Sequence, residues 1–127
     1  MNTSKLEKQQ NKLMESGVMD PTDRLVDFRE ASYKDRLIGR TLGKWKKGWV
    51  YFTEQKLIVT TGFIGHFVIP YKNIRELSKC SQFFIPIGIT ITHEDEESGK
   101  VRTDIISLTK RDHWIDFIAQ KAGISIS

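Results

Sequence analysis

Cysteine is nearly absent: Cys80 stands alone among 127 residues. No internal disulfide can form, and a cytoplasmic setting is the expected one. Long apolar runs are missing too. No stretch approaches the roughly 20 apolar residues that cross a bilayer as a helix, and residues 1–17 are polar, without the continuous apolar core of a secretory leader. Internal repeats and low-complexity tracts are lacking, and so is a convincing catalytic set. A nucleophile needs a base and an orienting group within reach. Cys80 with a histidine is the only formal pair, and nothing in the spacing brings them together. Glu94, Asp95, Glu96 and Glu97 lie in a turn, where solvent opposes the desolvation that tunes an acid–base pair. His66, His93 and His113 match no zinc spacing; His93 reads as a strand-end contact beside Glu94, and His113 as an exposed helix residue. The expectation is a chain that is not an enzyme and holds no metal or cofactor.

What is present fits one domain with one core. Hydrophobic residues make up 39% and charged residues 28% of the chain, as in ordinary globular proteins. The net charge is +4, and its placement matters more than its size. Residues 34–47 hold Lys34, Arg36, Arg40, Lys44, Lys46 and Lys47 against Asp35 alone, whereas residues 94–97 are all acidic. Such a basic patch attracts phosphates, lipid headgroups or acidic proteins; a solvated loop is the plain alternative. Trp45 between Lys44 and Lys46 has the pattern of a base-stacking residue between phosphate contacts. The basic stretch is short and the total charge low, so no nucleic acid is expected.

Along the chain, Leu6, Leu13 and Met14 share one helical face, a thin stripe that Gly17 would end. Asp20-Pro21-Thr22-Asp23 reads as a helix start, with Leu25–Ala31 a short helical turn leading into extended chain. From Leu37 the pattern turns to strands. They are expected over 37–42, 49–53, 56–61 across a Glu54-Gln55 turn, 66–69 and 73–79. A further one runs through Ile87, Ile89 and Ile91, and the last covers 101–108. Pro70 confines its strand to an edge or a strand end. Thr109 is placed to cap a final helix whose apolar stripe is Trp114, Ile115, Phe117, Ile118 and Ala122, with Gly123 as the stop. Residues 1–35 are then a partly helical N-terminal extension. Residues 36–123 form a mainly β domain of about seven antiparallel strands, its open end closed by Trp114 of the C-terminal helix.

Several of these segments resemble known ones. Lys44-Trp45-Lys46-Lys47-Gly48-Trp49-Val50-Tyr51-Phe52 is similar to the basic, aromatic start of the second strand in pleckstrin-homology domains. The stretch from Gly48 to Val59 resembles the GRAM pattern of Gly, apolar run, Thr, polar turn and apolar run. Phe67-Val68-Ile69-Pro70-Tyr71-Lys72-Asn73-Ile74 resembles that family's strand leading into a short connection. Arg111-Asp112-His113-Trp114-Ile115 is similar to the pleckstrin-homology terminal helix with its Trp. Over residues 36–122 the chain thus resembles the pleckstrin-homology superfold, in particular its GRAM and bacterial pleckstrin-homology-like families. The resemblance implies a barrel of two roughly orthogonal sheets capped by an α-helix, and a module that binds lipid headgroups or proteins. In that family the phosphoinositide site lies at the first inter-strand loop. Carried over by motif, Arg40, Lys44, Lys46 and Lys47 fall there. Gly48 stands where strong binders carry an Arg. The later hairpin loop bordering the family's site is here the acidic Glu94–Glu97, which would repel an anionic headgroup wherever the two meet.

Phe63 and Ile64, flanked by Gly62 and Gly65, sit at a hairpin tip that a meander places at the same end as the basic stretch. Either they fold under the rim or they wedge into acyl chains beside the cations. The leading expectation is a non-catalytic, cytoplasmic module attached peripherally to an anionic membrane through phospholipid headgroups. Arg40, Lys44, Trp45, Lys46, Lys47 and Phe63 would form the lipid-binding set, each cation contributing about 1 kcal/mol. The alternative is a protein-interaction or homo-oligomerisation module with no lipid ligand, docking through a sheet edge or the Leu6, Leu13, Met14 face.

Overall fold

A computed structural model describes residues 3–36, 46–60, 66–82 and 85–127. Helix α1 (Thr3–Glu15) is followed by seven strands: β1 (Leu25–Arg36), β2 (Lys46–Thr53), β3 (Lys56–Thr60), β4 (His66–Pro70), β5 (Ile74–Gln82), β6 (Ile85–Glu94) and β7 (Val101–Leu108). Helix α2 (Arg111–Ala122) closes the series, and a 3-10 turn, Tyr71–Asn73, links β4 to β5. The strands form one antiparallel sheet in the order β4-β3-β2-β1-β7-β6-β5. β1 is the pivot. It pairs with β2 from Leu25↔Thr53 to Tyr33↔Lys46 and with β7 from Ala31↔Leu108 to Arg36↔Thr103. One long strand therefore serves two ladders, and the three strands on one side of it and the three on the other belong to a single curled sheet.

The concave face carries the main core. Alternation along each strand aims Ala31, Tyr33, Val50, Phe52, Leu57, Val59, Ile69, Leu77, Ile89, Ile91 and Ile106 inward, and α2 adds Trp114, Ile115, Ile118 and Ala119. The Trp114 indole lies 3.9 Å centroid to centroid from Phe52, with planes 9° apart. Phe117 meets Phe52, Tyr71 and Trp114 edge-on. Such ring pairs add about 0.5–1.5 kcal/mol beyond the area they bury. The helix end is set by Gly123, whose φ of 71° lets its N–H bond Ala119 O. The sequence also places Gly88 where β6 and β7 nearly touch: a Cβ there would lie 2.1 Å from the Ile106 carbonyl oxygen.

The convex face has a smaller core of its own. Leu13, Met19, Leu25 and Ile58 are buried together, with Leu6, Met14, Val18, Phe28, Tyr51 and Val68 packed against them. α1 thus lies on the sheet. Gln10 fastens it, its Oε1 accepting the Leu25 N–H at 3.0 Å. The Leu6, Leu13, Met14 face offered above as a partner-docking face is used inside the molecule.

Some expectations are corrected. Leu25–Arg36 is a strand where a short helical turn was expected over Leu25–Ala31. The Asp20-Pro21-Thr22-Asp23 signal makes a turn instead of a helix: Asp20 Oδ1 accepts from both the N–H and the hydroxyl of Thr22, which is the same carboxylate chemistry as a cap without a helix behind it. Lys110, at a φ of 55°, is the residue before α2, and no side chain caps that end, so Thr109 does not. The barrel is not closed. β4 and β5 end the strand order, because β4 spans only His66–Pro70 and its proline has no N–H for a further ladder. The edge of β5 is met by the C-terminal segment instead, through a parallel Leu77↔Ile126 bridge and a 2.8 Å bond from Ser127 N–H to Leu77 O. The strand expected over 37–42 lies outside the described residues.

Candidate functional site: a basic strand end beside an aromatic groove

Of the expected lipid-binding set, Arg40, Lys44, Trp45 and Phe63 lie outside the described residues. Lys46 and Lys47 open β2 and both are exposed. They lie opposite Tyr33 and Ser32 of β1. At the same end, Trp49 pairs with Thr60, the last residue of β3, and Thr60 with His66, the first of β4. The strand ends that flank segments 37–45 and 61–65 are therefore neighbours. Lys47 also lines an open groove of about 570 Å³ with Arg29, Glu30, Ala31, Ser32, Ser107, Leu108 and Thr109, at the point where β7 ends and leaves β1.

The acidic turn is elsewhere. Asn73 Nδ2 donates to Glu96 Oε2 at 2.6 Å, and Arg75 pairs with Glu94. Glu96 lines a separate groove with Glu54, Gln55, Lys56, Lys72 and Lys121. Glu54 and Gln55 form the β2–β3 turn, the far end of that hairpin from Lys46 and Lys47. The repulsion anticipated between the acidic loop and a headgroup at the basic strand end does not arise from Glu96. Ser98 holds the Asp95 carboxyl through its hydroxyl and N–H, which lowers its pKa.

Sequence reasoning missed two features. The first is on the convex face. With Val50 and Phe52 inward, alternation turns Trp49 and Tyr51 outward. Phe28 of β1 joins them, its ring centroid 5.8 Å from Trp49 and 5.9 Å from Tyr51. The three rings wall a groove of about 580 Å³ completed by Gln9, Lys12 and Leu13 of α1, then Ser16, Val18, Thr60 and His66. Trp49 is 42% exposed, one of two large hydrophobic residues so open among the described residues. Burial raises the Tyr51 pKa, opposed by a hydrogen bond with Thr60. The signal was available: a tryptophan at an outward position of a half-buried strand is unusual enough to single out.

The second is a buried polar cluster under β1, β6 and β7. Asp104, fully buried, has Oδ2 2.6 Å from His93 Nε2, while Oδ1 accepts from the Tyr33 hydroxyl at 2.7 Å and from Arg102 at 3.1 Å. His93 is 2% exposed and so is not the strand-end contact beside Glu94 that the sequence suggested. Burial pushes the Asp104 carboxyl up, but the His93 and Tyr33 hydrogen bonds and the Arg102 and His93 charges outweigh it and hold the pKa below the ordinary carboxylate range. Arg102 also lies over the Phe67 ring, 5.8 Å from its centroid. With every Asp104 oxygen engaged, the cluster ties three strands together. His113, as expected, is exposed on α2. Among the described residues no group of three or more His, Cys, Asp or Glu side chains could hold a metal ion.

No protein-family model matches the chain, and no curated protein does. Solved structures do. The C-terminal domain of an unknown protein from Leishmania infantum superposes with a TM-score of 0.62 at 14% identity, over 95% of this chain and 98% of that one. The N-terminal PH domain of Vps36 gives 0.56 at 11% identity, over 83% of each chain. The fold is pleckstrin-homology-like. The hSac2 domain of the human phosphoinositide phosphatase Sac2 matches as well, with 0.54 at 10% identity, over 100% of this chain and 89% of that one. At such identities the likeness is one of fold.

Proposed function

We propose that this pleckstrin-homology-like, GRAM-type chain is a non-catalytic binding module that attaches peripherally, on the cytoplasmic side, to an anionic membrane surface. The observation that carries this reading is the exposure of Lys46 and Lys47 together at the start of β2. They are the described end of a basic stretch that in sequence includes Arg40 and Lys44. Trp45 and Phe63 complete the proposed contact as apolar anchors. Cations near an anionic leaflet contribute about 1 kcal/mol each and are screened by salt. A small basic set therefore gives weak, reversible attachment. Support also comes from the separation of Glu96, on the β2–β3 turn side, from the basic strand end.

Co-sedimentation with phosphatidylserine-containing vesicles tests the reading. Lys46→Glu with Lys47→Glu reverses two charges at exposed positions and is expected to lower binding at least about tenfold, with wild-type binding falling steeply as salt rises. Wild-type binding unchanged by both treatments would remove the proposal.

A further inference from the structure

We infer that the groove between α1 and the convex face of β1, β2 and β3 seats one anionic phospholipid, its acyl segment on the Phe28–Trp49–Tyr51 wall and its phosphate at Lys12. This deepens the membrane reading above and rests on it. The argument begins with what lines each groove. The one beside β7 contains Glu30, and the one beside the β2–β3 turn contains Glu54 and Glu96. Among the described residues, the convex-face groove contains no carboxylate: its charged or titratable members are Lys12, His66 and Tyr51. An anion entering it meets a cation on one rim and an imidazole on the other, with no like charge on the wall.

The floor has a different chemistry. The Phe28 ring on β1 lies within 5.9 Å of both the Trp49 and the Tyr51 rings on β2, and Leu13 and Val18 continue the apolar surface under α1. Trp49 is left 42% exposed, while Leu25 and Ile58 on the same face are buried under the α1 side chains. An amphipathic ring so placed suits the boundary between headgroups and acyl chains, where tryptophan is enriched. The volume of about 580 Å³ exceeds what a bare phosphate fills and falls within the range of sites for whole small ligands. Continuity completes the case. Lys47 is exposed two residues before Trp49 on the same strand, and successive odd positions share a face. A lipid held here would keep its headgroup side next to the basic strand end, so the convex face and α1 would lie towards the bilayer together.

Titration calorimetry of the full chain with water-soluble, short-chain phosphatidylserine tests this, with short-chain phosphatidylcholine and glycerophosphoserine as comparison ligands. The short-chain phosphatidylserine should bind about tenfold more tightly than either comparison, since only it offers both anion and acyl chain. Trp49→Ser should lower that affinity about tenfold. Lys12→Glu, on an exposed helix position, should do the same by a route that does not touch the sheet. Equal binding of glycerophosphoserine and the short-chain lipid would make the site a headgroup site only and overturn the inference. So would wild-type affinity in both variants. If vesicle binding is lost in the Lys46→Glu, Lys47→Glu protein yet unaltered by Trp49→Ser and Lys12→Glu, the groove inference fails and the membrane reading stands. If no lipid binds in any form, both fail, and the groove is left to a protein ligand.

Discussion

The two helices lie on opposite faces of one sheet, and they are held by very different means. α2 buries Trp114, Ile115, Ile118 and Ala119 in the concave core and stacks an indole on Phe52. Among the described residues of α1 only Leu13 is buried; Leu6 and Met14 add partial contacts, and the Gln10 bond to Leu25 ties the helix to the sheet. The concave face is therefore structure, and the convex face is a surface partly covered. An aromatic groove survives only where the cover is thin. The lesson is that the side of this fold best suited to meet a ligand is the one its helix packs less completely.

Substitutions can break or sharpen that contrast. Trp114→Ala should cost the most, about 4 kcal/mol in denaturant unfolding, because it empties the centre of the concave core. Next comes Asp104→Asn, about 3 kcal/mol at neutral pH, since it breaks a buried charged pair. This loss has a defined pH dependence. The folded-state pKa of Asp104 lies below its ordinary value. The carboxylate therefore contributes its full stability above an unfolded-state pKa of about 3.9, and the contribution disappears as pH falls through the lower folded value. The gap between wild type and Asp104→Asn should begin to narrow below about pH 4 and close only below the folded-state value; a gap constant with pH would show that charge is not what the cluster supplies.

The convex face should respond more mildly. Leu13→Ala is expected to cost about 2 kcal/mol, at the low end for a core leucine, because α1 can lift away instead of leaving a cavity. If Leu13→Ala proved as costly as Trp114→Ala, the contrast between the helices would be wrong. Gln10→Ala should cost about 1 kcal/mol, one net hydrogen bond, with more binding of an apolar dye as the helix loosens over Phe28 and Tyr51.

The parts legible in the sequence were those with a strong local period. The β2–β3 hairpin, β4, β5 and β7 were all recognisable, and so was the α2 stripe ending at Gly123, because each packs one face against the main core. β1 was not. Asp27, Arg29 and Glu30 interrupt its apolar residues, and their reasons are tertiary: Arg29 pairs with Asp27 and lies 5.8 Å from the Trp114 ring centroid. The Asp104 cluster joins residues up to 71 positions apart, so no local pattern announces it. The groove was half legible. Alternation gives the outward Trp49, but only the docking of α1 makes a concavity of it.

The two margins of the sheet differ in a way that bears on assembly. β4 is short and ends in Pro70, whereas β5 is already bonded at Leu77 by Ile126 and Ser127. The β5 margin is thus occupied at Leu77 by the chain's own C-terminal segment, so another strand arriving there would first have to displace Ile126 and Ser127.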